Sequence, residues 1–203
     1  MLDFLTIIMA RPVRKPIKLL AVIGVLSAFA LIGCTSQPIS RDLSVPLNSV
    51  ERVDIERYLG RWYEIARLPN SFEKNCEGVT ADYAQKADGS ISVINSCNRV
   101  TIDGEITGKA RTAKGRARIV DAQSQSKLEV SFFGPFWGDY WILDLDASYT
   151  LSLVGEPSGK YLWILSRTPT LPEDVLNDAL MRLKAMGYYI EDLYFTVQPP
   201  VEN

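Results

Sequence analysis

Between about residues 61 and 166 the chain breaks into short runs of alternating polar and apolar residues, each ended by a turn signal. Those signals are Asp88-Gly89, Asp103-Gly104, Lys114-Gly115, Gly134-Pro135 and Pro157-Ser158-Gly159. Short alternating runs at this spacing predict strands. They fall at about 61–67, 78–86, 91–98, 105–112, 117–121, 127–133, 139–145, 149–155 and 160–166. The run at 117–121 is the least regular and reads equally as part of a long loop. Tight turns between successive strands favour an up-and-down barrel, which closes on itself and leaves no unpaired edge.

One helix is well signalled beyond them. Thr170-Leu171-Pro172-Glu173 has the form of a capping box, Arg182 and Lys184 occupy the last turn, and Gly187 follows it. Val175, Leu176, Ala179, Leu180, Leu183 and Met186 form one apolar face, expected to pack outside the barrel on Trp141, Leu143, Leu145, Leu151 and Leu153. A last strand is expected at about 193–197.

Two motifs bracket the strands: Gly60-Arg61-Trp62-Tyr63-Glu64-Ile65-Ala66-Arg67 and, a hundred residues on, Ile164-Leu165-Ser166-Arg167-Thr168-Pro169. In a barrel, Trp62 would plug the closed end with the Arg167 guanidinium stacked over its indole, a contact worth ~0.5–2 kcal/mol. From about Gly60 to Val197 the chain resembles the lipocalin family, in particular its bacterial outer-membrane branch, related to apolipoprotein D. The resemblance implies an all-β fold, an eight-stranded antiparallel up-and-down barrel (the lipocalin calyx) with one C-terminal α-helix outside. Gly60, Trp62 and Arg167 are assigned to the structural base of that barrel.

Alternate residues of a strand share a face. Choosing the apolar face gives an inward, candidate ligand-binding set of Val79, Ala81, Tyr83, Val93, Asn95, Ala110, Val130, Phe132, Tyr140, Ile142, Ser152, Tyr161 and Trp163. For Tyr140 against Trp141 the alternation is ambiguous, and the family resemblance decides for Tyr140. Small residues such as Ala81, Gly108 and Ala110 suggest unfilled volume, and eight strands either fill with side chains or hold one small ligand. Tyr83, Asn95, Tyr140 and Tyr161 are expected to hydrogen-bond a headgroup while Phe132, Trp163 and the aliphatics hold a tail. A solid core is the competing reading. The aromatic stretch from Ser131 to Trp141 would lie at the open mouth, with Phe136 and Trp137 lining it, touching membrane or folding inward as a plug.

The amino terminus reads as an address. Arg11, Arg14, Lys15 and Lys18 precede the apolar run Leu19–Ala30, and Leu31-Ile32-Gly33-Cys34 follows. Residues 1–33 form a secretory signal, with translation expected to begin at Met9. Leu-Ile-Gly-Cys resembles a bacterial lipobox, making Cys34 the acylated first mature residue and thereby a membrane anchor. By the same resemblance Thr35 sorts the protein to the outer membrane of a Gram-negative bacterium, at its periplasmic face. With Cys34 acylated, Cys76 and Cys97 remain as an even pair in an oxidising compartment, hence a disulfide. Hairpin pairing about Asp88-Gly89 would set Cys97 opposite residue 80, so the bridge needs the chain to fold back before the strand. Residues 34–50 read as the lipidated cysteine and a flexible tether, and 51–203 as the lipocalin domain.

Removing residues 1–33 leaves 18 basic and 23 acidic residues, a charge of −5, which gives no footprint for nucleic acid. Histidine is absent, which excludes Ser-His-Asp and Cys-His sites and His-ligated zinc. No cofactor, metal site or catalytic residue is expected; Asp144 is one acid that could face inward. The leading reading is a tethered carrier of fatty acids, lysophospholipids or similar amphiphiles. A partner-binding scaffold and, more distantly, an enzyme stand beside it.

Overall fold

The computed structural model describes residues 37–100 and 106–199. Cys34, its signal segment and the Asp103-Gly104 turn lie outside them. The strands are β1 (Gly60–Arg67), β2 (Cys76–Gln85), β3 (Ile91–Val100), β4 (Ile106–Ile119), β5 (Lys127–Ser131), β6 (Gly138–Leu145), β7 (Leu151–Gly155) and β8 (Leu162–Ser166). Each pairs antiparallel with the next, and β1 pairs with both β8 and β2, so eight strands close into a barrel. A two-residue strand, β9 (Tyr194–Phe195), adds to β1 at Ala66 and Arg67.

Where the sequence predicts two strands and a Lys114-Gly115 turn, β4 runs unbroken for 14 residues. Lys114 and Gly115 lie within that ladder, opposite Ile94 and Val93. Local turn propensity yields to the ladder with β3, which runs through both residues. The small residues Ala113, Gly115 and Ala117, which weaken the strand signal, occupy its inner face.

A one-turn helix, α1 (Ile55–Tyr58), precedes β1, with the Asp54 carboxylate accepting from the backbone N–H groups of Glu56 and Arg57. It is too short for a helical period to register in the sequence. The long helix α2 (Glu173–Ala185) forms as expected, but its capping box does not: Pro172 occupies the cap and makes no side-chain hydrogen bond there. Ala179 and Leu183 are buried against Ile65, Leu143, Leu151, Leu153 and Ile164 on the outside of the barrel.

Leu145 was expected in that outer patch and instead packs with the inner cluster. The register shifts between Ile142 and Asp144, which reverses the alternation. Asp144 accordingly turns outward, 2.8 Å from Arg182 of α2, and does not face the interior.

The tether expected at 34–50 is corrected from Ser40 onward. Ser40 donates its N–H to Gly159 O and Asp42 to Gly187 O, while Val50 donates to Ile142 O and Val53 to Ser124 O. Arg41 is buried, donates from Nε to Met186 O and bridges to Tyr188. This strap docks through backbone hydrogen bonds, which a composition of Ser, Pro and Asn does not reveal.

Cys76 and Cys97 are joined by a disulfide, Cα atoms 5.4 Å apart. The chain does not fold back to make it. A register shift between Glu77 and Thr80 places the extra residue in β2, and Gly78 absorbs it at φ +59°, in the left-handed region.

Candidate ligand-binding site

The barrel has a closed end and an open one. At the closed end Trp62 is fully buried and its indole N–H donates to Tyr58 O at 2.8 Å. The Arg167 guanidinium carbon sits 3.9 Å from the Trp62 ring centroid. The same guanidinium donates to the carbonyls of Arg57, Tyr58, Leu59 and Arg61 at 2.7–3.1 Å. The first three of those carbonyls end α1 and have no intrahelical partner, so a cation there satisfies both the hydrogen bonds and the helix dipole, while the fourth belongs to β1. Gly60 stands at φ +92°, and a Cβ on it would lie 3.3 Å from Arg167 Nη1. Gly60, Trp62 and Arg167 thus form one floor, with α1 as its underside.

Above the floor the interior is filled. Ala81, Tyr83, Ile91, Val93, Ala117, Leu128, Ile142, Val154 and Leu165 are buried in one cluster with Tyr58 and Trp62. The residual space among Ile55, Tyr58, Tyr83, Ala117, Leu128 and Tyr140 is about 10 Å³, room for about one water. The phenol of Tyr58 contacts those of Tyr140 at 2.9 Å and the Ser152 hydroxyl at 3.1 Å, and Tyr83 reaches Tyr140 at 3.0 Å. Burial pushes all three phenols up, Tyr58 to about 12, so they remain neutral donors to one another. Tyr83 and Tyr140, expected to meet a headgroup, and Ser152 of the inward set spend their hydroxyls on this internal network.

The unfilled volume lies at the other end. Strand order places the loops 68–75, 132–137 and 156–161 opposite the Trp62 floor. Ala113 shares the inner face of β4 with buried Ala117, yet it is exposed. Asn95, directly opposite Ala113, is partly buried, and its Oδ1 has no hydrogen-bond partner among the described residues. Phe132, Tyr161 and Trp163 are also half-buried. Tyr161 and Trp163 stack at 6.0 Å, and Phe72 lies 5.7 Å from Tyr161. Val130 and Phe132 pack on the inner cluster, whereas Val79 clusters with the disulfide.

One expected member of the site is misplaced. Ala110 is exposed and pairs with Asn98, one residue out of phase with Ala113, Gly115 and Ala117. A strand uninterrupted at Lys114-Gly115 fixes its inner face by Ala117, and that face takes odd-numbered residues. Arg111, read from the sequence as outward, belongs to the inner phase at the rim, opposite Cys97.

A buried ionic cluster went unread because its members are far apart in sequence. The Arg67 guanidinium contacts Glu64 at 2.5 Å, Thr196 Oγ1 at 3.0 Å and Glu73 O at 3.1 Å. Glu73 accepts from Asn70 at 2.5 Å and from the Trp163 indole at 3.2 Å. Burial, then repulsion from Glu73, raises the Glu64 carboxyl well above its ordinary value, against the pull of Arg67. Every one of these carboxylates already has protein partners, so the cluster braces the 68–75 loop.

In the 132–137 loop Phe132 turns inward, as Tyr140 does farther along the hairpin. Phe133 and Phe136 are 81% and 76% exposed. Trp137 is held outside under Arg116 and Arg118, whose guanidinium carbons lie 5.0 and 4.3 Å from its ring centroid. The arrangement is therefore a cup with a solid base, an aromatic rim and an orphaned amide, suited to reversible binding of a molecule with an apolar portion.

Residues 53–198 match the family described as a lipocalin-like domain. The chain is 38% identical over 173 residues to the outer membrane lipoprotein Blc of Escherichia coli K12, covering 85% of this chain and 93% of that protein. It is 36% identical to the protein of the same name from Vibrio cholerae, covering 88% and 98%. It is 34% identical to apolipoprotein D of Mus musculus, covering 84% and 85%. Among solved structures, insecticyanin from the tobacco hornworm Manduca sexta superposes with a TM-score of 0.59 at 21% identity, over 74% of this chain and 84% of that one. That likeness is one of fold.

Proposed function

The chain belongs to the lipocalin family, and from that premise we propose that it binds and carries an amphiphile, a fatty acid or lysophospholipid, while anchored to the bacterial outer membrane through Cys34. The observation that carries the reading is the exposed inner face at Ala113 and Asn95 above a packed floor. An apolar tail fits against Gly115, Phe132, Tyr161 and Trp163, and the buried Asn95 Oδ1, without a partner among the described residues, is the acceptor a headgroup entering beside Ala113 would satisfy. The names of the bacterial relatives support the location, and the Leu-Ile-Gly-Cys sequence supports the anchor. Binding without catalysis fits a chain lacking histidine and a site whose tyrosines and carboxylates are already paired.

Delipidated protein titrated with an environment-sensitive fatty acid and with a lysophospholipid should show saturable uptake of at least one, lost on filling the mouth with Ala113→Trp. Uptake of neither, or uptake indifferent to Ala113→Trp, would sink the proposal. The filled lower half favours a second reading in that event, a partner-binding lipoprotein with an incidental hollow.

A further inference from the structure

Residues 37–53 run along the barrel from its open end to its closed one. The Gln37 side chain donates to Pro69 O in the 68–75 loop, and Ser40 N–H donates to Gly159 O in the 156–161 loop. Both loops border the mouth. Farther on, Val53 donates to Ser124 O in the turn at the closed end. The described chain thus begins beside the mouth and not beneath the floor.

A covalent limit follows. Three residues separate Gln37 from Cys34, and a fully extended chain covers at most ~11 Å over that distance. An eight-residue strand such as β1 spans roughly 26 Å. Whatever path the intervening residues take, the Cys34 backbone stays within ~11 Å of Gln37, so the point of anchorage lies nearer the mouth than the floor. An undocked tether from 35 to 50 would have imposed no such choice.

The same end carries the apolar tips that a lipid surface would take up. Phe133 and Phe136 project from the 132–137 loop, and Phe72, 47% exposed, from the 68–75 loop. Beside the hairpin an open groove of about 280 Å³ is lined by Lys86, Lys114 and Arg116 with Phe132 and Gly134, and by no acid. In a mature chain of net charge −5, a basic groove beside exposed phenylalanines is complementary to anionic headgroups over an apolar layer.

We propose that the open end of the barrel rests on the bilayer that holds the anchor, with Phe72, Phe133 and Phe136 in the interface and Lys114 and Arg116, on the part of the groove nearer the hairpin, on anionic headgroups. The mouth then faces the lipid layer directly, and an amphiphile passes between membrane and cup without crossing open water. This deepens the proposed carrier role and relies on its anchor.

The test uses the full acylated protein, reconstituted in phosphatidylethanolamine–phosphatidylglycerol vesicles and compared with the same protein in detergent by hydrogen–deuterium exchange. Amides of 69–75, 132–137 and 156–161 should slow by about tenfold or more on vesicles, while those of the closed-end turns 86–90, 120–126 and 146–150 stay unchanged. Phe133→Ser with Phe136→Ser, both at exposed positions, should abolish the slowing and leave strand amides as they were. Protection of the closed-end turns, protection nowhere, or protection indifferent to the double substitution overturns the docking. Intact mass separates this from the anchor: a chain bearing acyl groups on Cys34 but unprotected at the mouth retains its anchor and refutes the docking. Should Cys34 carry no lipid, the anchor reading fails, and the same protection pattern on vesicles still decides the docking.

Discussion

The two ends of this barrel are built from similar residues put to opposite uses. At the closed end a tryptophan, tyrosines and an arginine lock one another in place: Trp62 has no exposed surface, and Arg167 donates to five backbone carbonyls while covering its indole. At the open end phenylalanines, a tyrosine and a tryptophan stack loosely around accessible space, and an asparagine oxygen is left without a partner. Aromatic content alone does not distinguish support from recognition. What does is whether each polar atom is already used within the protein, as with Tyr83, Tyr140 and Ser152, or is still free, as with Asn95.

The contrast breaks most visibly, or not at all, at Trp62. Trp62→Ala should cost about 3–5 kcal/mol in denaturant unfolding, with ligand affinity of the folded fraction unchanged; lost affinity at unchanged stability would mean that the floor is part of the site. Next comes a strong element within the softer end: replacing Cys76 and Cys97 by Ser should cost roughly 3 kcal/mol, read as a lowered unfolding midpoint. A smaller and pH-dependent effect belongs to Glu64. Its carboxyl is raised above the ordinary 4.5, so the folded chain keeps a proton that the unfolded chain has already released. The contribution of this carboxyl to stability is therefore fullest below pH 4.5 and is lost as the pH rises toward about 8. Glu64→Gln should flatten that decline in unfolding curves collected across the range, and an unaltered slope would place the titration elsewhere. The least change in stability is expected for Ala113→Trp, within about 0.5 kcal/mol, combined with a tenfold or greater loss of ligand affinity.

Much of the barrel could be read from residues alone because its signals are local. Alternation placed Ser152 and Trp163 on the inner face, the family resemblance decided for Tyr140 and with it Ile142, and glycine turns separated β2 from β3, β5 from β6 and β7 from β8. The errors have specific physical sources. Lys114-Gly115 looks like a turn, and only pairing with β3, continued on the other side by β5 from Arg116 onward, holds it extended; reading a turn there carried Ala110 to the wrong face. The shift at Asp144 is invisible to a strict period of two. The Glu64–Arg67–Glu73 cluster and the strap at 40–53 depend on partners more than a hundred residues away, Thr196 for one and Gly159, Met186 and Gly187 for the other. The depth of filling is likewise a sum over all strands, and no single strand announces it.

Past Tyr63, β1 and β2 part, and the last described residues occupy the seam. Thr196 donates its N–H to Ile65 O, Gly78 donates to Val197 O, and the Gln198 amide bridges the carbonyls of Glu64 and Val79. Closure of the wall thus waits for residues 196–198, 129 positions and more after the first strand ends at Arg67. A nascent chain emerging amino terminus first carries an unsealed slit until those residues have been made, and a product cut short before Thr196 would keep that slit permanently.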